Sequence, residues 1–191
     1  GQGWAPPLGL MGHIASRAIH AVSDHRWAVW IGARVQPHGM AFGAVPELLG
    51  RSLFVLSDRF AERVWAIDLA LRSPGVGVVI ADGSGLGMRD SRRLQLAASS
   101  GGALCLLGRP WREHGEISAA WTRWRVRPEA TPTTSPHWSV QLLRCKGSQT
   151  SEKEARQWIV RRDHETNDVG VVPELCGGAC APARPARRAF G

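Results

Sequence analysis

Val76-Gly77-Val78-Val79-Ile80-Ala81-Asp82 is a short apolar run rich in β-branched residues, and Gly83-Ser84-Gly85-Leu86-Gly87 follows it at once. Pro74-Gly75 bounds it on the other side. An apolar run of this length between turn signals predicts a strand buried on both faces. Such a strand belongs in the middle of a parallel sheet covered by helices. Asp82 closes it, at the carboxyl end where open α/β sheets place their ligands.

Working outward, residues 10–108 alternate between helical and strand patterns. Met11, Ile14, Ala18 and Val22 recur at helical spacing over Leu10–Val22. Trp27–Ile31 is a short apolar strand, Gly39–Leu49 a weak helix interrupted by Pro46, and Leu53–Leu56 another strand. Ser57-Asp58 is placed to cap a helix whose stripe is Phe60, Val64, Ile67 and Leu71, and Ser73-Pro74-Gly75 stops it. After the central strand, Asp90 is placed to cap a second helix that buries Leu94, Ala97 and Ala98. Gly101-Gly102 ends that helix before the strand Ala103–Leu107. Alternation of this kind predicts βαβ units.

Past Arg109 the pattern changes. In Trp121–Arg127, strict alternation sends Arg123, Arg125 and Arg127 one way and Thr122, Trp124 and Val126 the other. Residues 128–136 form a Thr- and Pro-rich loop. Trp138–Cys145, Arg156–Arg162 and Val169–Leu175 read as further strands. The expectation is an antiparallel meander (121–175) that extends the parallel sheet, within one α/β domain over 1–175. Residues 176–191, rich in Gly, Ala, Pro and Arg, read as a disordered basic tail. The opening Gly-Gln-Gly-Trp-Ala-Pro-Pro has no structured lead-in, and upstream sequence is expected to precede it.

The chain has 191 residues and a formal net charge of +8, carried by 22 arginines against two lysines, Lys146 and Lys153. A basic surface of arginine suits phosphate and carboxylate recognition. No stretch reaches the roughly 20 apolar residues of a membrane span. Cys105 and Cys145 fall in expected strands and read as small buried hydrophobes, so a reduced, cytoplasmic protein is expected.

The chemistry-bearing patterns are sparse. An apolar strand ending in Asp82 is similar to the Mg²⁺-holding strand of P-loop ATPases, which makes Asp82 the weak cofactor-site candidate. The phosphate-cradling Gly-x4-Gly-Lys-[Ser/Thr] loop is absent, and no lysine precedes Lys146. Gly83-x-Gly85-x-Gly87 fails the dinucleotide fingerprint, because Met88 stands where its third glycine belongs and no acid lies about 20 residues on. Cys176-x3-Cys180 is a single thiol pair, short of the four ligands zinc takes. No Gly-x-Ser-x-Gly elbow is present. These readings name no catalytic residue, cofactor or metal. What remains is binding: Arg123, Arg125 and Arg127, with Arg109, Trp111 and Arg112, form a candidate face for an acidic partner or DNA.

The order of elements resembles the ImuA family, bacterial DNA-damage-response proteins that are degenerate relatives of the RecA ATPase core. Gly3-Trp4 is similar to the family's lead-in. Arg63–Ser73, Arg-Val-Trp-Ala-Ile-Asp-Leu-Ala-Leu-Arg-Ser, is similar to its Leu-Trp-Ala-Leu-Glu-Gln-Ala-Leu-Arg-Ser. Asp24–Ile31, Val76–Ala81, Arg92–Pro110, Val140–Gly147 and the Trp158 hairpin resemble the elements around it. The resemblance implies a RecA-like fold without a working ATP site. It also implies an accessory role in mutagenic translesion synthesis, in contact with RecA and an inactive Y-family polymerase homologue (ImuB-like). Two departures stand out. The segment before the first helix is shortened to Ala5–Leu8, so the first strand of a RecA core is expected to be missing or replaced. Ala33-Arg34-Val35-Gln36 stands where RecA carries its water-activating glutamate. Three other readings are an ATP-binding RecA paralogue, a direct DNA binder and a relative of the SulA cell-division inhibitors.

Overall fold

A computed structural model describes residues 4–20, 25–37, 46–130, 135–147, 157–163 and 168–172. The first half alternates as expected: helix α1 (Leu8–His20), strand β1 (Trp27–Ile31), short helix α2 (Pro46–Gly50), β2 (Ser52–Val55), helix α3 (Phe60–Arg72), β3 (Val76–Asp82), helix α4 (Met88–Gly101) and β4 (Leu104–Gly108). The four strands form one parallel sheet in the order β2-β1-β3-β4. Among the described residues no strand precedes α1, and β3 pairs directly with β4.

Burial follows the apolar pattern. β3 is buried at every position but Gly77, because helices cover both of its faces. On one face, Ile67 and Leu71 of α3 and Leu94 and Ala97 of α4 pack against Val29, Ile31, Val79 and Ala81. On the other, Met11, Ala15 and Ile19 of α1 and Leu48 of α2 cover Ala28, Trp30, Val78 and Ile80. α1 uses a stripe shifted from the expected one: Ile14 is exposed, and Met11, Ala15 and Ile19 point inward at i, i+4, i+8. Val22 and residues 39–45 of the expected weak helix lie outside the described residues. The two long helices meet closely at their carboxyl ends. A Cβ on Gly101 would stand 1.9 Å from the Leu71 carbonyl oxygen, so only glycine fits there.

Two helix starts differ from expectation. α3 begins after Arg59, and no side chain caps it; the Ser57 hydroxyl instead donates to the Arg59 carbonyl and to Glu62. α4 begins two residues before Asp90, whose carboxylate reaches back to accept the Gly87 amide at 3.3 Å. Asp90 thus serves the helix from its third position, where a carboxylate satisfies an orphan amide and faces the positive end of the helix dipole.

The second half corrects a larger expectation. β5 (Thr122–Glu129), β6 (His137–Cys145), β7 (Gln157–Arg162) and β8 (Val169–Val171) form an antiparallel meander, but it is a separate four-stranded sheet and does not extend the parallel one. The physical reason lies in residues 109–121, which turn through a 3₁₀ segment at Trp111–Glu113 and pack on α4, the Ala119 amide donating to Ser91 Oγ at 2.9 Å. The chain thereby leaves the plane of the first sheet. The buried Trp138 of β6 lies against Gly9 of α1, tying the second sheet to the first half.

Candidate functional site

The strand order reverses between β1 and β3: the chain steps from β1 outward to β2, then crosses back to β3. This switch point is where open α/β sheets bind ligands. Here it is closed by the protein's own groups. Asp82 is 1% exposed at the end of β3. Its Oδ1 accepts the Ser84 amide at 2.9 Å, and its Oδ2 accepts from Arg34 Nη1 at 3.1 Å. Burial opposes the Asp82 charge, but the Ser84 hydroxyl and amide, then the Arg63 and Arg34 guanidiniums, outweigh it and hold the carboxyl below its usual range. Gly32, at φ 110°, makes room for this contact, since a Cβ there would stand 2.9 Å from Asp82 Cβ.

Arg63 completes the joint from α3. It is buried, donates to the Ser84 carbonyl at 2.8 Å and to the Asp58 carbonyl at 3.4 Å, and leaves its Nε without a partner. The signal for it was present in the sequence: Arg63 falls on the helical stripe of Phe60, Val64, Ile67 and Leu71, where a charge needs partners inside the fold. Arg34 had a signal too. It follows β1 by three residues, at the carboxyl edge of the strand beside β3.

A second cluster continues from the glycine turn. The Gly85 amide donates to both oxygens of Glu113, at 3.2 and 3.1 Å. Arg109 donates to Glu113 Oε2 from Nε at 3.1 Å and from Nη2 at 2.9 Å. Both side chains are largely shielded, with Glu113 16% and Arg109 17% exposed. The Glu113 carboxylate therefore bridges the Asp82 turn to the 3₁₀ segment that carries Trp111.

The expected arginine face is partly assembled. Arg125 lies over the Trp111 ring at 3.8 Å from its centroid, and Arg127 approaches the same ring at 6.0 Å. His114 stacks on Trp111 at 4.3 Å and 9°. Trp111 is still 49% exposed, and Arg112 and Arg127 are exposed beside it. Arg109 and Arg123 do not join them. Arg109 is held by Glu113, and Arg123 is engaged in donating to the carbonyls of His114 and Glu116. The register shift opposite Arg123 and Trp124 puts the extra residue, Leu143, on β6, so β5 keeps the alternation that groups Arg123, Arg125 and Arg127.

Cys176 and Cys180 lie outside the described residues, as does the whole tail. Among the described residues no three His, Cys, Asp or Glu side chains converge to hold a metal ion, and no helix is long and apolar enough to cross a membrane.

No protein-family model matches the chain. It is 25% identical, over a 199-residue alignment, to Protein ImuA of Caulobacter vibrioides strain NA1000 / CB15N, covering 93% of this chain and 79% of that protein. The same figures hold for Protein ImuA of strain ATCC 19089 / CIP 103742 / CB 15. The relationship is distant. Among solved structures, SulA from Pseudomonas aeruginosa superposes with a TM-score of 0.42 at 20% identity, over 54% of this chain and 87% of that one. That overlap is too loose to assign a shared fold.

Proposed function

We propose that this chain, distantly related to ImuA, is a non-catalytic accessory protein of the bacterial SOS response, acting in mutagenic translesion synthesis through its contacts. One observation carries the reading: Asp82, which ends an apolar strand similar in sequence to the Mg²⁺-holding strand of P-loop ATPases, is buried and engaged by Arg34 and Ser84. A carboxylate already neutralised by a guanidinium has no free charge for a metal-bound triphosphate. The missing P-loop lysine points the same way, because an arginine fork does not replace a compact ammonium in a phosphate cradle. The edge that would do chemistry is a structural joint, and exposed Trp111, Arg112 and Arg127 with half-buried Arg125 are offered as the contact face.

The partners of this reading are RecA and a Y-family polymerase homologue. The test is co-purification of the tagged full chain from DNA-damaged bacterial cells. Recovery of both partners, in amounts that rise with damage, is the expected outcome. A folded chain that recovers neither sinks the reading. ATP-analogue binding at micromolar concentration, lost on Asp82→Ala, would replace it with a nucleotide-binding RecA paralogue.

A further inference from the structure

The outer side of α3 and α4 joins exposed apolar side chains to an excess of arginine. Both helices cover the same side of the parallel sheet, and their inner stripes are buried there. Their outer sides are not polar throughout. Trp65 is 61% exposed, and Leu69 of α3 and Leu96 of α4 are each more than half exposed. Trp65, Leu69 and Arg72 recur at i, i+4 and i+7, so they form one column on α3. Arg89, Arg92, Arg93 and Leu96 share one side of α4 by the same spacing. Asp68 links the two helices, accepting from Arg72 Nε at 3.1 Å and from Arg93 Nη2 at 2.9 Å. The charges on this face do not balance. α3 and α4 carry five arginines against three acids. All three acids are engaged: Glu62 meets Arg59 at 3.2 Å, Asp90 accepts the Gly87 amide, and Asp68 is shared by half-exposed Arg93 and Arg72. One carboxylate between two guanidiniums leaves a surplus positive charge and unused N–H donors. Arg89 and Arg92 are exposed and form no ion pair with another described residue.

We infer that this face, Trp65 and Leu69 on α3 with Arg89, Arg92, Arg93 and Leu96 on α4, docks an acidic amphipathic segment of a partner protein. The segment's apolar side chains cover the indole and the leucines, and its carboxylates meet the arginines. The occupant follows from that mixture. A nucleic acid has phosphates for the arginines but no side chains with which to bury two aliphatic leucines. A second copy docking through the same face sets like charge on like charge. Residues 176–191 of this chain carry three arginines and no acid, so they bear the wrong sign as well. None of these residues belongs to the Trp111 face, and the inference does not depend on which cellular response the chain serves.

The test uses the purified full chain and a displayed library of random peptides about 15 residues long, roughly four helical turns. Binders are counter-selected against the variant Arg89→Glu/Arg92→Glu, so that those kept recognise this face. The expected survivors carry Leu, Phe or Trp at helical spacing with Asp or Glu beside them. One fluorescein-labelled survivor is then titrated by anisotropy. Trp65→Ala should weaken it roughly ten-fold or more, and Trp65→Phe should keep most of the affinity. Added salt should weaken it too, since exposed charges are screened. Thermal melts confirm that each variant is folded. If Trp65→Ala does not fold, Leu69→Gln and the arginine pair still decide the matter.

Four results would each overturn the proposal. The first is that no peptide survives counter-selection, or that the survivors lack acidic or large apolar residues. The second is an affinity unchanged by Trp65→Ala and Leu69→Gln, which reduces the interaction to nonspecific charge. The third is displacement of the peptide by equimolar dT15 oligonucleotide or by anionic phospholipid vesicles, which reassigns the face to nucleic acid or to a membrane surface. The fourth is a dimer in light scattering that Trp65→Ala dissociates, which assigns the face to a second copy. The outcome is separable from that of the co-purification. Partners recovered without peptide binding keep the accessory role and remove this face; peptide binding without recovered partners does the reverse.

Discussion

Asp82→Asn gives a test whose sign matters more than its size. The substitution preserves shape and still lets one oxygen accept the Ser84 amide, now at 2.9 Å. It removes the charge that Arg34 meets at 3.1 Å and that lies close to buried Arg63. Breaking a fully buried pair costs about 3–5 kcal/mol. Arg34 is half-exposed and regains water when released, so its share is screened. Arg63 stays buried and loses its nearest compensating charge. The net expectation is a loss of about 2 kcal/mol. In a chain of this size that is a fall in Tm of roughly 4–8 °C. Urea unfolding followed by tryptophan fluorescence measures it. A carboxylate held in reserve for a metal behaves in the opposite way: neutralising it relieves strain and raises stability. An unchanged or raised midpoint for Asp82→Asn would therefore refute the joint and revive a ligand-binding edge. The pH dependence provides a second reading. A carboxyl depressed in the folded state contributes stability that is fully present above its ordinary range and is lost as pH falls through its folded value. Between about pH 5 and pH 2, the variant should thus lose stability less steeply than the parent.

Other expectations follow from the same contacts. Glu113→Ala removes a carboxylate that four donor contacts share, and should cost about 1.5–3 kcal/mol by urea unfolding. Gly101→Ala pushes a methyl into the Leu71 carbonyl and should destabilise by about 3 kcal/mol, whereas a neutral result would mean that α3 and α4 separate freely at that end. Burial pushes the Cys105 thiol up to about 12. Peptide mapping after iodoacetamide treatment at pH 8 should find Cys105 unmodified in the native protein and modified in urea. Labelling of native Cys105 would show that β4 opens.

Much of the parallel half was legible because its signals are local. β3 announces itself by composition, and α3 and α4 by a 3.6-residue period with glycine or proline at their ends. The errors are local too, since caps depend on which side chain reaches which amide. Asp90 as the third helical residue and Asp90 as the cap look identical in sequence. The meander was visible as strands, but its membership of a separate sheet was not. That depends on how residues 109–121 pack against α4, and no periodicity records it. The arginine face was half legible. Alternation groups Arg123, Arg125 and Arg127 on β5, but it cannot show that Arg123 spends its guanidinium on the His114 and Glu116 carbonyls while Arg125 and Arg127 approach Trp111.

By itself, then, the sequence determined the kind of molecule: a helix-covered parallel sheet around Val76–Asp82, no phosphate-cradling lysine, and a basic, tryptophan-bearing second half. Only the tertiary structure decided what Asp82 does. Its partners Arg34 and Arg63 lie 48 and 19 residues away along the chain and meet it where β1, β3 and α3 converge. Hydrophobic periodicity is an average over neighbours a turn apart and can be read from one strand of text. A charge pair across a sheet edge depends on strand order, register and a glycine small enough to let two backbones approach, and these come into existence only when the chain has folded.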